Sequence, residues 1–180
     1  MPDLSFEQAI AESSRVLSEL ESGNMEEEQA RDQIALIVST QAGARGFFVA
    51  LLTGELKLSD SPSQSIVEAL TRAPEITGDL LAKNLVMSAC TAVSHERRGD
   101  ERQAQGSRQV TRRTANLIKL LRLNDVERKL ADMSTAVHDA LNGGTTSGAT
   151  YSDFLKRWNY DKEQLRAAEQ ALTSLPSNPT

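Results

Sequence analysis

The sequence predicts an all-α protein: a compact bundle of seven to eight helices around one central apolar helix. Three observations carry that prediction. Apolar residues recur at spacings of three and four in segment after segment, the period of one helix face. Aromatic residues make up only 4% of the chain, so the core must be built from Leu, Ile, Val, Met and Ala, the palette of a helical bundle. Ser, Asn, Asp, Pro and Gly stand where helix caps and stops are expected. The 180 residues fit one domain over residues 1–175 with a polar tail at 176–180. A chain of this length buries roughly 70% of its unfolded surface, so it needs no disulfide or metal to fold.

Taken in order, Ser5 caps a first helix running to about Ser22, with Phe6, Ile10, Leu17 and Leu20 at helical spacing and Gly23 at the stop. Asn24 is placed to cap a second helix whose first turn holds Glu26, Glu27 and Glu28, where carboxylates favour the positive end of the helix dipole. Its apolar face is Ala30, Ile34, Ile37 and Val38. Gly43 and Gly46 then interrupt, and Phe47–Thr53 follows as a short apolar element. Periodicity does not separate helix from buried strand there. The lack of a second strand and the stop at Gly54 favour helix. Glu55 to Asp60 reads as a loop, and Ser61-Pro62 as the start of a helix through Thr71.

The central helix runs from Pro74 to His95. Leu81, Leu85, Ser88, Ala92 and His95 form its main stripe, and the small residues from Ser88 to Ala92 permit a neighbouring helix, or a second copy in a homodimer, to approach closely. Gly99 and Gly106 each weaken helicity by ~1 kcal/mol relative to alanine, which makes the segment between them a loop or a marginal helix. Val110, Thr114, Leu117 and Leu121 restore the helical pattern, with Arg108, Arg112, Arg113 and Lys119 pointing elsewhere. Asn124 with Glu127 opens the next helix, whose inward face is Val126, Leu130, Met133, Val137 and Leu141. Asn142 to Ala149 is a flexible loop. Thr150 with Asp153 opens a short aromatic helix, and Asp161 with Gln164 opens the last, packing through Leu165, Ala168 and Leu172.

Charge supplies the leading functional candidate. The net charge of −5 hides an excess of +5 between Glu96 and Arg122, leaving −10 on the remainder. Arg97, Arg98, Arg102, Arg108, Arg112 and Arg113 form a basic ridge suited to carboxylates or phosphates, because the guanidinium fork pairs with oxyanions. The blander reading is a solvated face, or an internal partner for the acidic N-terminal helices. The ridge has no interleaved aromatics and so no platform for stacking single-stranded bases.

Other chemistries find little support. The single cysteine, Cys90, excludes a disulfide framework and reads as a small buried hydrophobe. His95 and His138 lack the Glu-x-x-His spacing of a di-metal bundle, so neither a metal nor a cofactor is expected. Gly143 to Gly148 lacks the lysine of a phosphate-cradling loop, and Arg98-Gly99-Asp100 reads as a coincidental tripeptide. The Phe47–Val49 and Tyr151–Trp158 clusters read as core anchors, with a partner groove as the alternative. The first residues, MPDLSFEQAI, lack the regions of a signal peptide, and the longest near-apolar run is too short for a bilayer, so a soluble cytoplasmic protein is expected.

The stretches GARGFFVALLTG, LLAKNLVMS and QGSRQVTRRTANLIKLL resemble segments of a family of small uncharacterised helical proteins of photosynthetic bacteria. The resemblance implies a soluble, cytoplasmic, non-enzymatic protein and brings no ligand with it. The function expected is therefore a non-enzymatic interaction or regulatory protein whose Arg-rich ridge meets an acidic protein partner. The alternatives are nucleic-acid binding by the same ridge, and a small-ligand protein or enzyme with a pocket between helices.

Overall fold

A computed structural model describes residues 4–144 and 150–175. The fold is all-α, with ten helices among the described residues: α1 (Phe6–Glu21), α2 (Glu27–Val38), α3 (Gln41–Thr53), α4 (Lys57–Asp60), α5 (Gln64–Thr71), α6 (Pro74–Arg97), α7 (Glu101–Leu121), α8 (Asn124–Asn142), α9 (Ser152–Trp158) and α10 (Lys162–Thr173). The number exceeds the seven to eight expected, and the helix that the sequence did not offer is α4, in a stretch read as a loop. The tail from Pro176, and Thr145 to Ala149 of the expected loop, lie outside the described residues.

Local rules place several boundaries where the sequence puts them. The Ser5 hydroxyl accepts from the Gln8 amide while the Gln8 side chain accepts from the Ser5 amide, a reciprocal capping box. Asp161 and Gln164 repeat the arrangement at α10. Pro74 occupies the first turn of α6, where its missing N–H costs nothing. Elsewhere the caps shift by a residue or two. Glu26 rather than Asn24 precedes α2, Ser63 rather than Ser61 precedes α5, Leu123 precedes α8 and Tyr151 precedes α9. Gly54 ends α3 in an extended rather than a left-handed conformation. The expected loop at Glu55–Asp60 contains the single turn α4, whose Leu58 amide donates to the Glu21 carboxylate.

The larger differences involve glycine. Gly43 and Gly46 do not interrupt; both lie inside α3. A Cβ on Gly43 would stand 1.9 Å from the Ile37 carbonyl oxygen, and one on Gly46 would stand 2.5 Å from the Ala9 Cβ. These glycines let α3 press against α2 and α1, a tertiary requirement that overrides their weak helix propensity. Gly106 is likewise helical, so α7 is continuous from Glu101, and the turn after α6 is made by Gly99, with φ at +71°.

α1, α2 and α3 pack on one another with α5 against α2, while α6 packs against α7, α8 and α10 and touches α3 and α5. One hydrophobic cluster joins both groups, running from Ala9 to Leu172, with Phe47, Leu51, Leu81 and Leu85 fully buried. Apolar residues surround α6 on most of its circumference, as expected of a helix buried among neighbours. The small residues of α6 meet partners within the chain. Thr111 of α7 donates to the Ser88 hydroxyl, and the Gln164 amide of α10 donates to the Cys90 carbonyl and the Ser94 hydroxyl.

Candidate functional site

The six ridge arginines have different fates. Arg97 reaches across from the end of α6 to Asp161 and Glu163 at the start of α10. Arg108 bonds Glu96 and Glu101. The Arg98 guanidinium lies 2.9 Å from Nδ1 of His95. Arg102 is exposed with no ion pair among the described residues. Arg112 keeps 69% of its side chain exposed and approaches Asp60 only at 3.8 Å.

Arg113 turns inward, with 3% of its side chain exposed. Its guanidinium forms a two-pronged pair with Asp60, both contacts 2.9 Å, and donates to the carbonyls of Leu52 at 2.9 Å and Gly54 at 2.8 Å. The expectation that Arg113 points away from the packed face is therefore corrected. It lies three residues after Val110 and four before Leu117, on the core-facing stripe. The internal partners of the ridge are Asp60, Glu96, Glu101, Asp161 and Glu163, not the acids of α1 and α2.

Tied down in this way, α7 and α10 flank a groove whose floor is α6. Arg108 ties the second turn of α7, and Arg97 the start of α10, to the last turn of α6. Both helices thus run antiparallel to α6 and parallel to each other. The cavity between them measures about 1000 Å³. Leu85, Ala89, Ala92 and Val93 form its floor, and Ala115, Ala167 and Ala171 its walls. Arg108, Arg112 and Lys119 recur along the α7 rim, spaced by four and seven, with Arg166 on the α10 rim.

The acids of this rim are engaged: Asp60 by Arg113, Glu96 by Arg108 and Glu163 by Arg97. Lys119 and Arg166 have no ion pair among the described residues, and Arg112 has only its long contact. Sequence reasoning missed Arg166, which lies far along the chain from the ridge. No local signal marks it, because only the packing of α10 on α6 brings it to the groove that Arg112 lines.

The ion pairs carry a pH signature. The hydrogen bond from Arg113 holds the Asp60 carboxyl below its ordinary pKa, and that from Arg97 does the same for Asp161. A carboxyl depressed in the folded state contributes stability that is complete above its unfolded value of about 4 and is lost as pH falls through the folded one. Thermal unfolding should therefore show a Tm that is level between about pH 7 and 5 and falls below about pH 4. In Arg97→Gln the fall should be shallower, since Asp161 then titrates nearer its ordinary value. Parallel curves for the two proteins would show that this pair contributes nothing.

The remaining candidates have structural settings. Burial pushes the Cys90 thiol up to about 12, and its Sγ lies 3.4 Å from the Gln164 carbonyl oxygen, so the sulfur is a protonated core group. His138 stands 3.7 Å from Glu169, and among the described residues no three His, Cys, Asp or Glu side chains cluster as metal ligands. Arg98-Gly99-Asp100 is the α6–α7 turn, where the Asp100 carboxylate accepts from the Gln103 amide to cap α7. Phe47 and Phe48 are core residues, and so is Tyr151, whereas Trp158 is 50% exposed and stacks on Tyr160. No described helix is long and apolar enough to cross a membrane.

A family model described as uncharacterised conserved protein UCP020893 matches residues 5–175 of the chain. No curated protein and no solved structure matches it.

Proposed function

The chain belongs to this uncharacterised conserved family, and we propose that it is a non-enzymatic cytoplasmic interaction protein of photosynthetic bacteria. In this reading it offers the cationic rim of α7 to an acidic protein partner. The observation that carries the reading is the charge balance at the rim. Every acid there is already held by an arginine, whereas Arg112, Lys119 and Arg166 keep positive charge facing outward. The lining carries five basic side chains (Arg108, Arg112, Arg113, Lys119, Arg166) against three acids (Asp60, Glu96, Glu163), and this positive balance attracts an arriving carboxylate, raises the encounter rate and selects partner sign.

The test compares two sets of substitutions in a pull-down from extract of a photosynthetic bacterium. Arg102→Gln, Arg112→Gln and Lys119→Gln together remove exposed charge without breaking a close internal pair. Arg15→Gln with Arg128→Gln removes the same kind of charge from internally paired positions outside the groove. The first set should lose acidic proteins that the wild type retains, and the second should keep them. Unchanged capture by the first set overturns the reading. Binding of labelled DNA or RNA that falls steeply between about 50 and 200 mM salt would favour nucleic acid instead.

A further inference from the structure

We infer that the groove between α7 and α10 seats an amphipathic α-helix of the acidic partner, laid along α6. The inference rests on the reading of an acidic protein partner and adds the shape of what binds.

Size comes first. A helix with its side chains is about 10 Å across and rises 1.5 Å per residue, so it occupies roughly 120 Å³ per residue. The cavity of about 1000 Å³ thus holds about eight residues, or two turns. The wall from Arg108 to Lys119 is about 16 Å long, close to three turns.

The lining comes second. Ala89, Ala92 and Val93 are buried in α6 yet stand outside the main hydrophobic cluster, so their exposed edges face the groove rather than the core. With Ala115, Ala167 and Ala171 they make walls without long side chains, which lets another helix approach closely. An incoming helix would bury their remaining apolar surface by the same ridge-and-groove packing that joins α6 to its neighbours.

Charge selects the occupant. The cations without a close ion pair stand on both rims, Arg112 and Lys119 on α7 and Arg166 on α10. The helix should therefore carry carboxylates on both flanks of a narrow apolar stripe at i, i+3, i+4 and i+7. A second copy of this chain docking groove to groove would oppose these three cations to themselves across a twofold axis. A nucleic acid would satisfy the rims but offer no apolar face to the partly exposed Ala115, Ala167 and Ala171.

The test uses two fluorescein-labelled peptides of about 16 residues and identical composition. One places Leu and Ala on one face and Glu on its flanks; the other has the order scrambled. Anisotropy is read against the wild type, the rim variant (Arg112→Glu, Lys119→Glu, Arg166→Glu) and the wall variant Ala167→Trp, each first shown to melt like the wild type. If Ala167→Trp does not, Ala171→Met replaces it as a smaller intrusion. The amphipathic peptide should bind the wild type at least about tenfold more tightly than the scrambled one, and both variants should lose that binding.

Equal binding of both peptides, insensitive to Ala167→Trp but abolished in the rim variant, overturns the helix inference and leaves the acidic-partner reading intact. Binding of neither peptide also overturns the inference, and the pull-down then decides the broader reading alone. Binding of a labelled RNA or DNA duplex, lost in the rim variant, assigns the rims to nucleic acid and overturns both.

Discussion

Replacing Arg113 with methionine should destabilise the protein by about 3 kcal/mol, because removing one partner of a buried pair strands the others. For a chain of this size that corresponds to a Tm lower by about 6 to 12 °C. The side chain is 3% exposed and joins three elements: the Asp60 carboxylate of α4, the Leu52 and Gly54 carbonyls at the end of α3, and α7 itself. Methionine fills similar volume but supplies no donor, so two carbonyls and a carboxylate lose their hydrogen bonds. Asp60 is half exposed and recovers some water, which keeps the cost at the lower end for a broken buried pair. Arg113→Lys should recover only part, since one ammonium cannot reproduce the planar fork. Arg112→Met, one residue away but exposed, should stay within about 0.5 kcal/mol. Urea melts of the three variants check this. Equal small effects at 112 and 113 would mean that the Arg113 contacts contribute little.

Gly46→Ala should cost about 2 kcal/mol, although alanine is the better helix former by about 1 kcal/mol. The new methyl would lie 2.5 Å from the Ala9 Cβ and 2.8 Å from the Ile10 backbone nitrogen. Neither neighbour is the free end of a flexible chain, so α1 and α3 must separate and the core residues between them lose contact. Gly106→Ala supplies the internal contrast. That glycine also lies inside a helix, but nothing stands within 4 Å of an added Cβ, so the substitution should stabilise by about 0.5 to 1 kcal/mol. The same chemical change should thus have opposite signs at the two sites. If both variants gain stability, the α1–α3 approach is looser than described.

The two grooved rims give a physical setting to a charge asymmetry that composition alone leaves ambiguous. Arg97, Arg108 and Arg113 serve the fold, linking α6 to α10, α6 to α7, and α7 to the α3–α4 connection. Arg113 does so by engaging Asp60, the acid that also approaches Arg112. Structural and outward-facing charge are therefore coupled, and substitutions at the internal pairs should alter the field at the rim as well as stability.

What the sequence determines by itself is short in range. The all-α class follows from apolar periodicity. The starts of α1, α6 and α10 follow from Ser5 with Gln8, from Pro74, and from Asp161 with Gln164, because capping is settled within three or four residues. The inward faces of α2 and α10 also follow, since one helical period fixes which residues share a side. Tertiary packing decided the rest. Gly43 and Gly46 sit within α3 because neighbouring helices fill the space a side chain would need. Arg113 is internal because Asp60, 53 residues earlier, arrives beside it, and Arg97 is paired because Asp161 arrives from 64 residues later. Arg166 joins the rim only because α10 lies along α6. A local pattern can say which side of a helix a charge occupies. Whether that side meets water, a carboxylate or a groove depends on helices far along the chain, and their arrival is set by burying the whole core at once.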